Sequence, residues 1–281
     1  MKRNLLLWVL AFIITVVVAV YQRVTGPTYP LSGKYTFVGK EYNYKLLRSF
    51  GEKTDCAISI KTDKDISGFL FYKKYKTNDL YSKVPMVNKN GNLTGFLPYQ
   101  PPAGKLQYFI EIKKGEAKVI IPENKNVIIR FKGAVPTLVL IIHVFFMFGA
   151  MLLSVRTGLE FFNNNPKFKA LTFFTLIFLF FGGFILGPIV QKYAFDVFWS
   201  GFPFGHDLTD NKTAITFIGW LIAFFMYKKS KQPKYWALGA SILLIVIYLI
   251  PHSVMGSELD YNKLDKQTKQ QIIDTNNIGD K

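Results

Sequence analysis

The sequence predicts a membrane α-helical protein, an N-terminal anchor plus a four-helix transmembrane bundle, with an all-β sandwich inserted between anchor and bundle. Three observations carry this. Five long apolar runs punctuate the chain, a central stretch of about a hundred residues alternates in short strand-like runs, and basic residues gather in alternate connections between the apolar runs. Half of the 281 residues are hydrophobic (50%), and Phe (27) and Tyr (15) are abundant, a composition that favours a membrane protein over a soluble domain. The single cysteine, Cys56, excludes an internal disulfide framework and any Cys-based zinc or iron–sulfur site. It reads as a buried strand residue.

The first apolar run, "NLLLWVLAFIITVVVAVYQR", follows Met1-Lys2-Arg3. It has the flanks of a signal sequence, but it is long and no small-x-small cleavage site follows, so residues 1–22 are expected to be an uncleaved anchor. The remaining runs are 134–155, 170–190, 213–227 and 235–250, within a helical domain spanning 134–254. The first two of these approach the roughly 20 residues that cross hydrocarbon. The last two are shorter and fit with little tilt or a locally thinned bilayer.

Lys2 and Arg3 precede the first run. Arg156, Lys167 and Lys169 separate the second and third, and Lys228, Lys229, Lys231 and Lys234 separate the fourth and fifth. Five alternating spans place all three groups on one side, which the positive-inside rule makes the cytoplasm. The expected location is therefore a bacterial inner membrane, with residues 23–133 and a polar tail, 255–281, facing outward. Residues 22–133 carry 20 Lys/Arg against 9 Asp/Glu, which does not break the rule because long domains translocate largely regardless of charge. The tail is lysine-rich after Tyr261, and is expected to be mobile or ordered only against the sandwich or a partner.

Between Tyr29 and Lys132, runs such as "KYTFVG", "CAISIKT", "GFLFYKKY", "LQYFIEIKK" and "NVIIRFKG" are rich in Val, Ile, Phe and Tyr and bounded by Gly, Pro, Asn and Asp. "NKNGN" (88–92) is a hairpin signal, since Asn and Gly tolerate positive φ. "KKGEAK" (113–118) is a second. Seven or eight strands in this length suit a sandwich. The segment "VPMVNKNGNLTGFLPYQPPAGKLQYFIEI" (84–112) resembles bacterial immunoglobulin-like and fibronectin III-like domains, directly over about thirty residues. The resemblance implies an immunoglobulin-like sandwich and no chemistry, because such domains serve as binding or spacer modules. The whole chain resembles uncharacterised bacterial inner-membrane proteins with the same anchor, sandwich and helix order.

"FLFYKKYKTNDLYSK" (69–83) interleaves aromatics with four lysines. It reads either as a contact for anionic lipid heads or an anionic polymer, or as a lysine-rich edge strand that discourages aggregation. Nucleic acid is not an expected partner of an outward face.

All three histidines, His143, His206 and His252, fall at the outer half of the helical domain on this topology, and Asp196, Asp207, Asp210, Glu258 and Asp260 lie at the same level. Imidazoles with carboxylate support would hold a transition metal, Zn, Cu or Fe, and an open position would activate water. No H-E-x-x-H-type motif accompanies them. Asp207, Thr209, Asp210 and Asn211 at near-alternate positions, with Glu258 or Asp260, would instead bind Ca²⁺ or Mg²⁺, although the EF-hand spacing is missing. Two histidines would also serve haem, a reading weakened because only His143 lies inside a span. The structural alternative makes "FPFGHDLTDNKT" (202–213) a hinge in which Asp210 or Asn211 caps the fourth helix. His143 fits that alternative least, since a polar group at its depth needs a partner within the bundle.

Gly182, Gly183 and Gly187 allow close helix approach, and Pro188 loosens the end of its span. Arg156 and Glu160, four apart, read as an ordinary surface pair. No phosphate-binding loop, nucleophile elbow or paired catalytic carboxylate occurs in the cytoplasmic connection that holds them. The functional expectation is a multi-pass accessory or scaffold protein, whose sandwich binds a partner in an envelope complex and whose helices contact membrane lipid and other membrane proteins. The alternatives are a metal- or haem-binding redox protein or metalloenzyme, and a small transporter subunit.

Overall fold

The computed structural model describes residues 2–163, 166–251 and 258–264, and the chain divides into two compact units. One is helical and holds the residues up to Tyr29 together with 134–251. The other is β-rich and holds Pro30–Gly133 and residues 258–264.

The helical unit comprises α1 (Lys2–Thr25), α2 (Thr137–Leu159), α3 (Phe168–Leu179), α4 (Gly187–Phe195), α5 (Leu208–Lys229) and α6 (Pro233–Leu249). A π-helical stretch, Phe180–Leu186, joins α3 to α4, so that Phe168–Phe195 runs as one helix of 28 residues. Among the described residues, three helices are long and apolar enough to cross a membrane: Lys2–Thr25, Thr137–Phe162 and Phe168–Phe195. The helix α6 is apolar but has 17 residues, and α5 opens on the polar turn Leu208–Lys212.

The N-terminal helix is not a separate anchor beside four others. Its buried residues Leu7, Ala11, Thr15 and Val18 recur every three or four positions, one stripe of a helix. Val18 and Ile14 pack into the same core as Ala150, Met151, Leu179, Trp220 and Leu244. Small side chains such as Ala150, Ala223 and Ala240 bring the helices close, as membrane bundles require. The start of α1, the end of α2 and the start of α6 meet at one end of the unit. There the Arg156 guanidinium lies 5.3 Å from the Trp8 ring centroid, and the Lys234 ammonium 5.2 Å from that of Phe161.

The pair Arg156–Glu160 is not at the surface. Both side chains are 1% exposed, and they meet at 2.5 Å. Arg156 also donates to Asn4 Oδ1 (2.5 Å), while Glu160 Oε2 accepts from Asn163 Nδ2 (3.1 Å) and from the Lys167 backbone N–H (2.7 Å). One ion pair therefore ties α1, the end of α2 and the approach to α3. The i,i+4 spacing is that of a surface pair, and the packing of α1, α6 and the approach to α3 around it buries it.

The β-rich unit contains β1 (Leu31–Phe37), β2 (Lys40–Leu46), β3 (Ser49–Phe50), β4 (Cys56–Lys61), β5 (Ser67–Lys74), β6 (Ser82–Lys89), β7 (Asn92–Leu97), β8 (Lys105–Lys114), β9 (Ala117–Ile121) and β10 (Val127–Phe131). β1 and β2 form a hairpin. The others form one sheet in the order β3-β10-β8-β5-β6-β7-β4, with β9 paired to the second half of β8. β6 changes partner along its length, pairing with β5 at Ser82–Met86 and with β7 at Val87–Lys89. That change curls the sheet towards a barrel around one core, filled by Ile58, Leu70, Leu93, Tyr108, Ile110 and Ile129 among others. Both expected hairpins form. Asn90 (φ 54°) and Gly91 (φ 83°) turn β6 into β7, and Gly115 (φ 58°) turns β8 into β9. Cys56 is fully buried in β4, and burial pushes its thiol up to about 12.

Residues 258–264, the described part of the predicted tail, lie on the β-rich unit. The Tyr261 hydroxyl accepts from the Lys105 N–H (3.0 Å) and donates to Gln100 Oε1 (2.9 Å), and Glu258 bridges Lys105 (2.6 Å) and Lys76 (2.9 Å).

Candidate functional site

The connection from α4 to α5 is built around the first turn of α5. Asp196 ends α4 in the left-handed conformation (φ 62°) and pairs with Lys192 at 2.7 Å. Asp207 is the N-cap of α5, its Oδ1 accepting from the Thr209 N–H at 2.8 Å. Asp210 reaches back over the loop. Its Oδ2 accepts from the N–H groups of Ser200 (2.7 Å) and Gly201 (3.0 Å), from Gln191 Nε2 (3.1 Å) and from Ser200 Oγ (3.3 Å). Asn211 Oδ1 accepts from the Phe202 N–H at 2.7 Å. Lys212 donates to the carbonyls of Ile250 (2.7 Å) and Pro251 (3.1 Å), a cation closing the C-terminal end of α6. Asp207, Asp210, Asn211 and Lys212 of "FPFGHDLTDNKT" thus hold a loop in place and join α5 to α6.

His143 has its partner within the bundle. Its Nδ1 lies 3.0 Å from the carbonyl oxygen of Gly182, in the π-helical stretch. A carbonyl only accepts, so Nδ1 carries the proton, and in the neutral ring Nε2 is left as an acceptor. The same carbonyl accepts the N–H of Gly187, the wide-turn bond of a π-helix. Pro188, which has no N–H to donate, follows immediately.

A cavity of about 440 Å³ lies among α1, α2, α4, α5 and α6, and His143, Asp207 and Asp210 all line it. These three of the six anticipated ligands are brought together. His206 is exposed and does not line the cavity, Glu258 is engaged with lysines of the β-rich unit, and His252 lies outside the described residues. Among the described residues, no group of three or more His, Cys, Asp or Glu side chains is arranged to hold a metal ion. Sequence reasoning missed Gln22 and Tyr248, which also line the cavity. The Gln22 amide nitrogen and the Tyr248 hydroxyl are both sealed from solvent without a hydrogen-bond partner. Each is a polar residue near the end of an apolar helix, a position usually explained by the membrane interface.

The β-rich unit carries a second cluster. Strand β5 lies between β6 and β8, so the lysine-rich edge-strand reading of 69–83 does not hold. On one face Phe71 and Phe109 stack at 4.8 Å and Tyr81 meets Phe109 edge-on at 5.2 Å. The Lys83 ammonium stands 3.9 Å from the Phe69 ring centroid, and the Lys73 ammonium 5.4 Å from that of Tyr81. Lys113 shares this face and pairs with Glu111 at 3.2 Å. Alternation along β5 places Phe69, Phe71 and Lys73 together and sends Leu70 into the core.

No protein-family model matches the chain, and no curated protein matches its sequence.

Proposed function

We propose that the chain is a multi-pass accessory protein of a bacterial inner membrane whose β-rich unit binds an anionic partner in the envelope. In this reading the helical unit is a transmembrane bundle with its basic helix ends in the cytoplasm, and the β-rich unit is an outward immunoglobulin-like module. The observation that carries it is the aromatic and lysine face on β5, β6 and β8. Lys83 and Lys73 hold positive charge over an apolar floor of ring faces, on a face that includes the interior strand β5. The excess of 20 Lys/Arg over 9 Asp/Glu across residues 22–133 adds a long-range field of the same sign.

The test uses the full-length protein in detergent, with polygalacturonate as a soluble anionic polymer and vesicles containing phosphatidylglycerol as an anionic surface. Replacing Lys73 and Lys83 by Glu should weaken binding to the favoured probe by about tenfold or more and flatten its salt dependence. Preference for the polymer or for the vesicles identifies the source of the anionic groups. Equal binding by the wild type and the double variant would overturn the proposal.

A further inference from the structure

We infer that the cavity in the helical unit binds an uncharged single-chain lipid, an amphiphile whose polar end both donates and accepts hydrogen bonds, such as a monoacylglycerol. This inference is independent of the partner assigned to the β-rich unit. Four observations converge on it.

The cavity is lined mainly by apolar side chains, among them Leu140, Val144, Met147 and Val190. Its volume of about 440 Å³ sits in the lower part of the ~300–1,000 Å³ range of small-molecule sites. That leaves room for one polar end group with part of one chain, and not for a two-chain phospholipid.

Two polar groups on its wall are unpaired. Tyr248 and Gln22 both line the cavity, and the hydroxyl of one and the amide nitrogen of the other are buried with no partner among the described residues. Buried polar groups are nearly always hydrogen-bonded, and two exceptions on one wall point to an occupant. Gln22 contributes a donor, and Tyr248 contributes a donor or an acceptor.

The third anchor is His143. Because its Nδ1 donates to the Gly182 carbonyl, the neutral ring presents Nε2 as an acceptor for a ligand hydroxyl. The wall at this point is kept thin by glycine. A Cβ added at Gly187 would lie 3.9 Å from the His143 ring, and Gly183 also lines the cavity.

Charge selects against the common ionic lipids. No lysine lines the cavity, and its one guanidinium, Arg23, is on an exposed residue, whereas two carboxylates, Asp207 and Asp210, form part of the polar wall. An anionic head would meet those carboxylates. A cationic head would find Asp210 Oδ2 already taken by four donors and Asp207 engaged as the N-cap of α5.

The test is native mass spectrometry of the full chain released from dodecyl maltoside micelles, with monoolein and oleate offered at equal concentration. The wild type should retain one monoolein per chain, saturably and in preference to oleate. Tyr248→Phe should keep the cavity shape and bind monoolein about five- to tenfold more weakly, yet melt no lower than the wild type, because the deleted hydroxyl had no partner to lose. Gln22→Leu should behave likewise, and Ala19→Phe, which fills the cavity, should abolish retention. Preferential binding of oleate would overturn the assignment. So would unsaturable binding, or equal retention by the wild type, Tyr248→Phe and Gln22→Leu.

Discussion

The Asp210→Ala substitution probes the loop that organises the α4–α5 end of the helical unit. Asp210 is 7% exposed, and one of its oxygens takes two backbone N–H groups, at 2.7 and 3.0 Å, besides the Gln191 amide and the Ser200 hydroxyl. Removing the carboxylate orphans the Ser200 and Gly201 N–H groups, at ~1–3 kcal/mol for each buried unsatisfied donor. The sum, ~2–6 kcal/mol, is reduced because a carboxylate no longer has to be desolvated, so a loss of about 2–4 kcal/mol is expected. Asp210→Asn keeps an acceptor oxygen but loses charge assistance, which roughly doubles such bonds, and should cost about half as much. At ~2–4 °C per kcal/mol for a chain of this size class, the alanine variant should melt roughly 5–15 °C lower in detergent. Chymotrypsin should also cut the loop after Phe204, which is exposed and followed by Gly205, faster than in the wild type. By contrast, Asp207→Ala removes the N-cap bond to Thr209 and should cost ~1 kcal/mol through that bond. A melting temperature for Asp210→Ala within about 1 °C of the wild type, with unchanged cleavage, would refute the idea that this carboxylate holds the loop.

Other outcomes follow from the same structure. Arg156→Gln leaves Glu160 buried without its counter-charge and should destabilise the helical unit by ~3–5 kcal/mol, whereas the joint Arg156→Met, Glu160→Met replacement should cost less; thermal melts of both variants decide it. Gly91→Ala puts a Cβ 2.7 Å from the Thr62 carbonyl oxygen at φ 83° and should lower stability by at least ~1–2 kcal/mol, read as a shift in denaturant midpoint. Burial acts to raise the Glu258 carboxyl, but the hydrogen bonds from Lys105 and Lys76 outweigh it and hold the group below its ordinary value. Its contribution is therefore complete above the unfolded value of ~4.3 and is lost as pH falls through the lower folded value. The protection factor of the Leu259 amide, bonded to the Ala103 carbonyl at 3.2 Å, should fall over that acid range when its exchange is referred to the intrinsic rate at each pH, and Glu258→Gln should remove that fall.

The features legible in the sequence are those set by local spacing. Apolar runs of helix length, the Asn90–Gly91 and Gly115 turns, and the alternation that buries Cys56, Ile58 and Ile60 in β4 all follow from neighbours a few residues apart. Features set by distant partners were not legible. Nothing around Arg156 signals that Asn4 and Trp8 will cover it, 152 residues away in the case of Asn4. The interior position of β5, which ends at Lys74, depends on β8, which begins only at Lys105, and so the lysines of 69–83 could be mistaken for edge protection. The shared level of the histidines in the sequence translated into one cavity residue, His143, because depth along a bundle says nothing about which helix face a side chain occupies. Gln22 and Tyr248 escaped notice for the same reason.

The placement of the two units about a membrane is tested most directly by labelling intact cells with a membrane-impermeant maleimide. Cys56 stays silent in the native protein, being fully buried with its thiol raised to about 12, so single cysteines can be introduced without removing it. Cysteine in place of Lys83, on the aromatic face, should label in intact cells, and cysteine in place of Lys231, between α5 and α6, should label only after permeabilisation. The reverse pattern, or labelling of both sites in intact cells, would contradict an outward β-rich unit carried by a membrane-spanning bundle.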